Sequence, residues 1–220
     1  MIYSAEKSVA VFLNPKTGTT SLIDCFANTS FTFDQCVHNH MNVNHFAQRY
    51  NPDLSTTKMF CFYREPVERM LSMWNYVRTT PGHLVKMLNY FYGNQFKISH
   101  LNRDSFESLS TEIQDALARI KIIDFLESDF KEKVSPNWPL LYPQRDWLAF
   151  DNIELLPYSQ FSTGVASIAA ELGISDYALN ILNEKQYIPN DPAITQEEID
   201  YIISYSKEDY DFFQFKGISF

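Results

Sequence analysis

The chain has 220 residues, 45% of them hydrophobic and 15% aromatic, which is long and apolar enough to bury a core. Its formal net charge of −9 argues against nucleic acid or a heparin-like polyanion as the main partner. No basic and apolar leader opens the sequence, and the three cysteines (Cys25, Cys36, Cys61) form no CxxC pair. We therefore expect one domain over residues 1–220, with free thiols, no membrane span and a cytoplasmic location.

The segment 8–22 predicts a strand, a short loop and the start of a helix. Val9 to Leu13 is an unbroken apolar run, which is typical of a strand covered on both faces. Pro15 has no amide hydrogen and therefore marks the end of the strand. Apolar residues at helical spacing (Leu22, Ile23, Phe26) place the start of a helix near Thr19.

The loop between this strand and helix combines a cation, a glycine and four hydroxyls, in the order Pro15, Lys16, Thr17, Gly18, Thr19, Thr20, Ser21. The N-terminus of a helix attracts anions, and Gly18 lets the backbone approach a ligand closely. The sequence therefore predicts an anion site here. It is not the nucleotide P-loop GxxxxGK[ST], because the lysine precedes the glycine. The alternative is a Ser/Thr-rich turn that caps an ordinary helix.

Further elements follow in chain order. We expect a short strand over Ser30–Cys36 and a helix capped by Asn42 or Asn44 that runs through Tyr50. A second buried, parallel-type strand covers Met59–Tyr63, and a helix starts at Pro66. The residues 83–103 carry no clear pattern.

The later part of the chain is less regular. Residues 134–146 are predicted to be a Pro-rich loop. Apolar spacing and capping residues predict a helix from Asp104 or Ser105 to Ile120, a strand over Ile153–Leu156, a helix over Val165–Leu172 ended by Gly173, and a helix from the capping box Thr195–Glu198 to about Phe213.

A second candidate anion site follows the second buried strand. Arg64 stands at the strand end, and Ser72 comes two helical turns later. A guanidinium can bind a phosphate through two parallel hydrogen bonds, and a serine hydroxyl on the facing turn can bind the same oxygens. Alternatively, Arg64 pairs with Glu65 or Glu68 at the surface.

These two motifs, at 12–22 and 60–74, resemble the 5′-phosphosulfate loop and the 3′-phosphate motif of sulfotransferases that use 3′-phosphoadenosine 5′-phosphosulfate (PAPS). The likeness is to the carbohydrate O-sulfotransferase branch, typified by the heparan-sulfate 2-O and chondroitin enzymes. It implies a P-loop-like, three-layer α/β/α fold with a central parallel sheet. It also implies sulfuryl transfer from PAPS to a hydroxyl of a saccharide or small molecule, with 3′,5′-ADP as the product.

The resemblance also suggests catalytic residues. Lys16 would stabilise charge on the leaving oxygen. Because the chain is acidic overall, a PAPS site also needs local positive charge, which Lys16 and Arg64 would supply together with Arg69 or Arg145. His38-Asn39-His40 resembles the His-x-His of the uronyl 2-O-sulfotransferases, in which a histidine is the general base. We favour His40 as the base with His38 supporting it, although the two roles could be reversed.

Other interpretations of these residues stay open. Asp34 is an alternative base, the histidines could be solvated loop residues, and a metal site that includes His45 is disfavoured because no thiolate or convincing carboxylate accompanies them. Tyr142 to Leu148 resembles the late Pro-Gln segment of the same branch; there Arg145 or Trp147 could flank the nucleotide, or Trp147 could belong to the core. The competing functions are a P-loop kinase or NTPase, which needs ATP and Mg²⁺, and a non-catalytic nucleotide-binding protein.

Overall fold

The computed structural model describes residues 1–37, 40–93, 110–130, 133, 142–180 and 193–220. They fall into two compact units. The first unit comprises Met1–Glu65, Tyr142–Glu184 and Glu208–Phe220, and the second comprises Pro66–Leu141 and Lys185–Lys207. The expectation of one domain over 1–220 stays a prediction.

The described chain contains both strands and helices. The strands are β1 (Ile2–Ser4), β2 (Val9–Phe12), β3 (Gln35–Cys36), β4 (Lys58–Tyr63) and β5 (Ile153–Pro157). The helices are α1 (Thr19–Ala27), α2 (Val43–Tyr50), α3 (Pro66–Thr79), α4 (Pro81–Tyr92), α5 (Thr111–Arg119), α6 (Ile122–Glu127), α7 (Arg145–Leu148), α8 (Phe161–Leu172), α9 (Gln196–Tyr205) and α10 (Lys207–Phe215). The protein therefore has a mixed α/β fold.

Within the described residues, the strands of the first unit form one sheet in the order β3-β1-β2-β4-β5. β2, β4 and β5 are parallel, with Phe12 opposite Cys61 and Cys61 opposite Leu155. β1 is antiparallel to both of its neighbours. The sheet is thus mostly parallel, and the carboxyl ends of β2, β4 and β5 lie at the same edge.

The two apolar runs form the central strands, as the sequence predicts. Every residue of β2 is buried, as are Met59 to Phe62 in β4, because helices cover both faces of the sheet. α1 and α8 pack on one face through a core that includes Val11 and Phe60. α2, α7 and α10 pack on the other face, in a core that includes Phe12 and Cys61.

One strand prediction needed correction, and one strand was missed. In the region Ser30–Cys36 only Gln35 and Cys36 pair with a neighbour, because the residues before them form no ladder with β1. β1 itself was not predicted, since a run of three residues carries too little periodicity to be recognised. β5 was predicted almost to the residue, and the three cysteines are free.

The second unit is helical in the residues described. α3, α4, α5 and α6, together with Ile202 of α9, surround an apolar core. Its members buried most deeply include Met73, Val77, Met87 and Leu117. No helix in the described ranges is both long and apolar enough to cross a membrane.

Several helix boundaries are confirmed. α1 begins at Thr19 and α3 begins at Pro66. The side chain of Asn42, rather than that of Asn44, caps α2, and Gly173 ends α8 in the left-handed conformation. The capping box of Thr195 and Glu198 opens α9.

Other helix predictions are partly wrong. α8 begins earlier than expected, at Phe161, and α7 begins inside the predicted loop, at Arg145. The predicted C-terminal helix is divided at Ser206 into α9 and α10. α5 ends at Arg119, one residue early, whereas the proposed caps at Asp104 and Ser105 lie outside the described residues, as does the loop 134–141.

Candidate functional site

The loop that follows β2 is a tight turn with two left-handed residues. Lys16 has φ of +66° and Gly18 has φ of +79°, and Gly18 is the N-cap of α1. A non-glycine residue in this region is uncommon and is often found at a ligand site. The first-turn amides of a helix point out of its N-terminus, so those of α1 face the loop.

Lys16 is the cation of this loop, and its side chain is half-buried. Burial and, as a smaller second cause, the nearby positive charge of Arg64 together lower the pKa of Lys16 from 10.5 to about 8. The second cause shows that the two cations are close enough to repel each other. Negative charge bound at either residue would offset this repulsion.

Aromatic rings pack directly against the loop backbone. A Cβ on Gly18 would lie 2.8 Å from Cε2 of Phe161 and 2.9 Å from Cε2 of Tyr158. Neither distance leaves room for a methyl group. Glycine is therefore required here for space as well as for its positive φ.

Arg64 follows β4 at the same edge of the sheet. Its guanidinium carbon lies 4.9 Å from the centroid of the Tyr158 ring, which is a cation–π contact. Tyr158 comes directly after β5, so three neighbouring strands each contribute to this edge. Because Tyr158 contacts both Gly18 and Arg64, its ring lies beside both candidate anion-binding segments.

Two buried carboxamides connect the ends of β2 and β4. Asn14 Nδ2 donates to the carbonyl oxygen of Phe62 at 3.2 Å and to Oε1 of Gln144 at 2.9 Å. The backbone amide of Arg64 donates to the same Oε1 at 3.0 Å, and Gln144 Nε2 donates to the Arg64 carbonyl at 2.7 Å. Both carboxamide side chains belong to fully buried residues.

His40 lies beside the end of β2. Its Nδ1 is 2.7 Å from the carbonyl oxygen of Leu13. A carbonyl oxygen only accepts hydrogen bonds, so Nδ1 carries the proton, and in the neutral ring Nε2 is the basic nitrogen. His38 lies outside the described residues, and its predicted supporting role stays a prediction.

Asp34, the alternative base, lies at the other edge of the sheet. Its Oδ2 accepts a hydrogen bond of 2.6 Å from the backbone amide of Ala5. Ala5 follows β1, whose last residue, Ser4, pairs with Val9 at the start of β2. The Lys16 loop follows the other end of β2, so Asp34 and this loop lie at opposite ends of that strand.

The hydroxyl residues of the loop have different surroundings. Thr17 is buried, and its Oγ1 donates to the carbonyl of Asn14 at 2.7 Å, so this hydroxyl closes the turn instead of donating to a ligand. Thr19 and Ser21 are buried, whereas Thr20 is exposed. Pro15 is buried before the turn.

The other proposed residues lie elsewhere. Ser72 is half-buried and Arg69 is buried on α3, in the second unit; the pairing of Ser72 with Arg64 stays a prediction. Arg145 forms an ion pair with Glu208, with Nη2 2.8 Å from Oε2. Trp147 belongs to the core, as its alternative interpretation has it.

Asn14, Gln144 and Tyr158 were not identified as site residues from the sequence. Asn14 directly follows a predicted strand, Tyr158 lies two residues after another, and Gln144 lies in the segment that was singled out for Arg145 and Trp147. For Asn14 and Tyr158 the available signal was position, because α/β proteins bind ligands just beyond the carboxyl ends of their strands. Gln144 follows no predicted strand, so position gave no such signal for it. Within the described part of the chain, no group of three His, Cys, Asp or Glu side chains is arranged to hold a metal.

Comparison with known proteins adds no relative: no family model, no curated protein and no solved structure matches this chain.

Proposed function

We propose that the protein is a PAPS-dependent O-sulfotransferase with a P-loop-like, three-layer α/β/α sulfotransferase fold. The observation that carries this proposal is the position of Lys16 and Arg64 just beyond the ends of the adjacent parallel strands β2 and β4, with the Tyr158 ring beside both segments. PAPS carries a 5′-phosphosulfate and a separate 3′-phosphate. A nucleotide with two anionic groups matches two neighbouring cations better than one with a single phosphate chain.

In this proposal the loop holds the 5′-phosphosulfate. The first-turn amides of α1 bind its oxygens, and Lys16 stabilises negative charge on the bridging oxygen between phosphorus and sulfur. Arg64 binds the 3′-phosphate. Ser72, eight residues later in sequence, is a sequence-based candidate for the same phosphate.

The reaction would be an in-line sulfuryl transfer. The acceptor oxygen attacks sulfur as the bond from sulfur to the bridging oxygen breaks, and 3′,5′-ADP leaves with that oxygen. Nε2 of His40 accepts the proton of the acceptor hydroxyl, because Nδ1 carries a proton that it donates to the Leu13 carbonyl in a hydrogen bond. The acceptor is proposed to be a saccharide or a small molecule.

The order of residues at the strand ends argues against the kinase alternative. A P-loop kinase places its lysine after the last glycine and an acidic magnesium ligand at a strand end. In this chain Lys16 precedes Gly18, and β4 is followed by Arg64. A cation at that position would repel Mg²⁺ and not bind it.

Calorimetric titration with 3′,5′-ADP, 5′-AMP and ATP with Mg²⁺ tests the proposal. We expect 3′,5′-ADP to bind roughly 10–100-fold more tightly than 5′-AMP, because only the former engages Arg64 through a charged hydrogen bond. Tighter binding of ATP with Mg²⁺ would instead favour a kinase or NTPase.

A transfer assay separates an enzyme from a binding protein. Labelled PAPS is incubated with the protein and a panel of saccharide and small-molecule hydroxyl acceptors, and labelled products are resolved. Sulfation of any acceptor supports the proposal. Binding of 3′,5′-ADP without any transfer would support the non-catalytic alternative.

A further inference from the structure

The buried side chain of Gln144 is the most direct link between the two strand ends that carry the candidate anion sites. Its Oε1 accepts from both Asn14 Nδ2 and the Arg64 amide, at 2.9 Å and 3.0 Å, and its Nε2 donates to the Arg64 carbonyl at 2.7 Å. The Gln144 carboxamide therefore binds the backbone amide and the backbone carbonyl of Arg64, and it also binds the side chain of Asn14, just before the Lys16 loop.

These hydrogen bonds fix the position of the Arg64 backbone more strictly than burial alone would. Hydrogen bonds to both the N–H and the C=O of one residue set the location and the tilt of its peptide groups, much as a neighbouring strand would. Arg64 lies just beyond the ladder of β4 and β5, which ends at the pair Tyr63 and Pro157. Gln144 thus continues the strand-like restraint past the end of the sheet.

We propose that Gln144 is a positioning residue that sets the location of Arg64 relative to the Lys16 loop, and thereby gives the site its preference for a nucleotide with a 3′-phosphate. This inference rests on the proposed function. Gln144 does not touch the nucleotide; it acts through the Arg64 backbone and through Asn14. A guanidinium displaced by about 1 Å would lose its aligned hydrogen bonds to a phosphate.

The measured quantity is the ratio of the dissociation constants of 5′-AMP and 3′,5′-ADP. A variant that only lowers the folded fraction weakens the binding of both ligands by the same factor and leaves this ratio unchanged. A variant that displaces Arg64 selectively weakens the binding of 3′,5′-ADP and so lowers the ratio. The ratio therefore separates positioning from general stability.

We expect Gln144→Ala to lower the ratio by about tenfold, the order of one charged hydrogen bond. Gln144→Met, which preserves the volume and removes the same hydrogen bonds, is the second variant and should behave alike. Thr57→Val is the matched control: Thr57 is buried, and its hydroxyl donates to the Asp53 carbonyl at 2.8 Å, just before the opposite end of β4. It should leave the ratio unchanged.

A double-mutant cycle tests whether Gln144 acts through Arg64. In an Arg64→Ala background, Gln144→Met should not change the ratio further, because the group that it positions is absent. An unchanged ratio in both single variants would overturn the inference, as would loss of all binding in both, which would make Gln144 a requirement of the fold alone. If the unmodified protein shows no preference for 3′,5′-ADP, the proposed function itself fails, a result distinct from a failure of Gln144.

Discussion

The guanidinium of Arg64 lies over the ring of Tyr158, with its central carbon 4.9 Å from the ring centroid. A cation–π contact contributes about 0.5–2 kcal/mol, depending on how far it is desolvated. Tyr158 has a second contact, with the backbone at Gly18, so the ring restrains the Arg64 side chain at a fixed place beside the loop. Gln144 restrains the backbone of the same arginine.

This contact predicts different effects for two substitutions. Tyr158→Phe retains the ring face and should leave the affinity for 3′,5′-ADP nearly unchanged. Tyr158→Leu removes the ring, and we expect the preference for 3′,5′-ADP over 5′-AMP to fall by roughly twofold to thirtyfold. Calorimetric titration of both variants checks this, and equal affinities in Tyr158→Leu and Tyr158→Phe would exclude a role for the ring.

Lys16→Ala should reduce sulfuryl transfer by about 10²–10³-fold, the usual effect of removing one preorganised group that stabilises the transition state. The fold should persist, because the side chain is only half-buried. Lys58→Ala is the control: Lys58 is an exposed lysine that pairs with Glu171. Steady-state rates with labelled PAPS measure the effect, and near-normal turnover in Lys16→Ala would remove Lys16 from the mechanism.

The lowered pKa of Lys16, about 8 against the ordinary 10.5, predicts a pH dependence of binding. Above pH 8 the unliganded lysine loses its proton and must regain it to bind an anion. The affinity for 3′,5′-ADP should then fall by at most tenfold per pH unit. Phosphate groups, with a second pKa near 6, do not titrate in this range.

Lys16→Arg is the control for that pH dependence, since a guanidinium stays charged throughout. Its affinity for 3′,5′-ADP should be flat between pH 7 and 10. The stability of the unliganded protein should change in the opposite sense to the affinity. Between pH 8 and 10.5 the unfolded chain binds more protons at Lys16 than the folded protein does, so the contribution of Lys16 to the free energy of unfolding rises with pH.

Gly18→Ala should destabilise the protein by about 2–5 kcal/mol. About 1–2 kcal/mol comes from the left-handed backbone and about 1–3 kcal/mol from the clash with Phe161 and Tyr158. Gly217→Ala is the matched control, because Gly217 also has a positive φ, of +74°, but open space around it. Gly217→Ala should lower the free energy of unfolding only by the backbone contribution. Equal losses for the two variants in urea denaturation would show that the Phe161 and Tyr158 rings move aside.

His40→Ala should lower the rate of transfer by about 10²–10⁴-fold and remove the acidic limb of the pH–rate profile, as expected for a general base. The exposed His45, on α2, supplies the control His45→Ala, which should leave the rate unchanged. Nucleotide affinity should stay the same in both variants. A His40→Ala enzyme with an unaltered pH profile would mean that another group takes the proton.

Patterns set by local chemistry were readable from the sequence. Buried strands such as Val9 to Phe12 show as apolar runs, and the spacing of apolar residues places a helix start near Thr19. Pro66 and Thr195 mark helix starts because capping depends on neighbouring residues alone. The division at Ser206 and the short β1 were not readable. Each depends on contacts with segments distant in sequence, which a one-dimensional pattern does not report.

The candidate site divides in the same way. Lys16, Gly18 and Arg64 were identified because each stands in a strand-to-helix loop with a recognisable order. Gln144 and Tyr158 depend on which strands are neighbours, and this is decided by the sheet order. The electrostatic coupling of Lys16 and Arg64, two residues 48 positions apart, likewise follows from the pairing of β2 with β4.

The long reach of Gln144 has a consequence for synthesis of the protein. Its carboxamide joins residues 130 and 80 positions earlier, Asn14 and Arg64. A nascent chain that already contains the Lys16 loop and Arg64 lacks the hydrogen bonds of Gln144 that connect them until residue 144 has left the ribosome. A nascent chain shorter than 144 residues therefore cannot hold the two strand ends together in this way, and any fragment that keeps the arrangement must include residues 14–144.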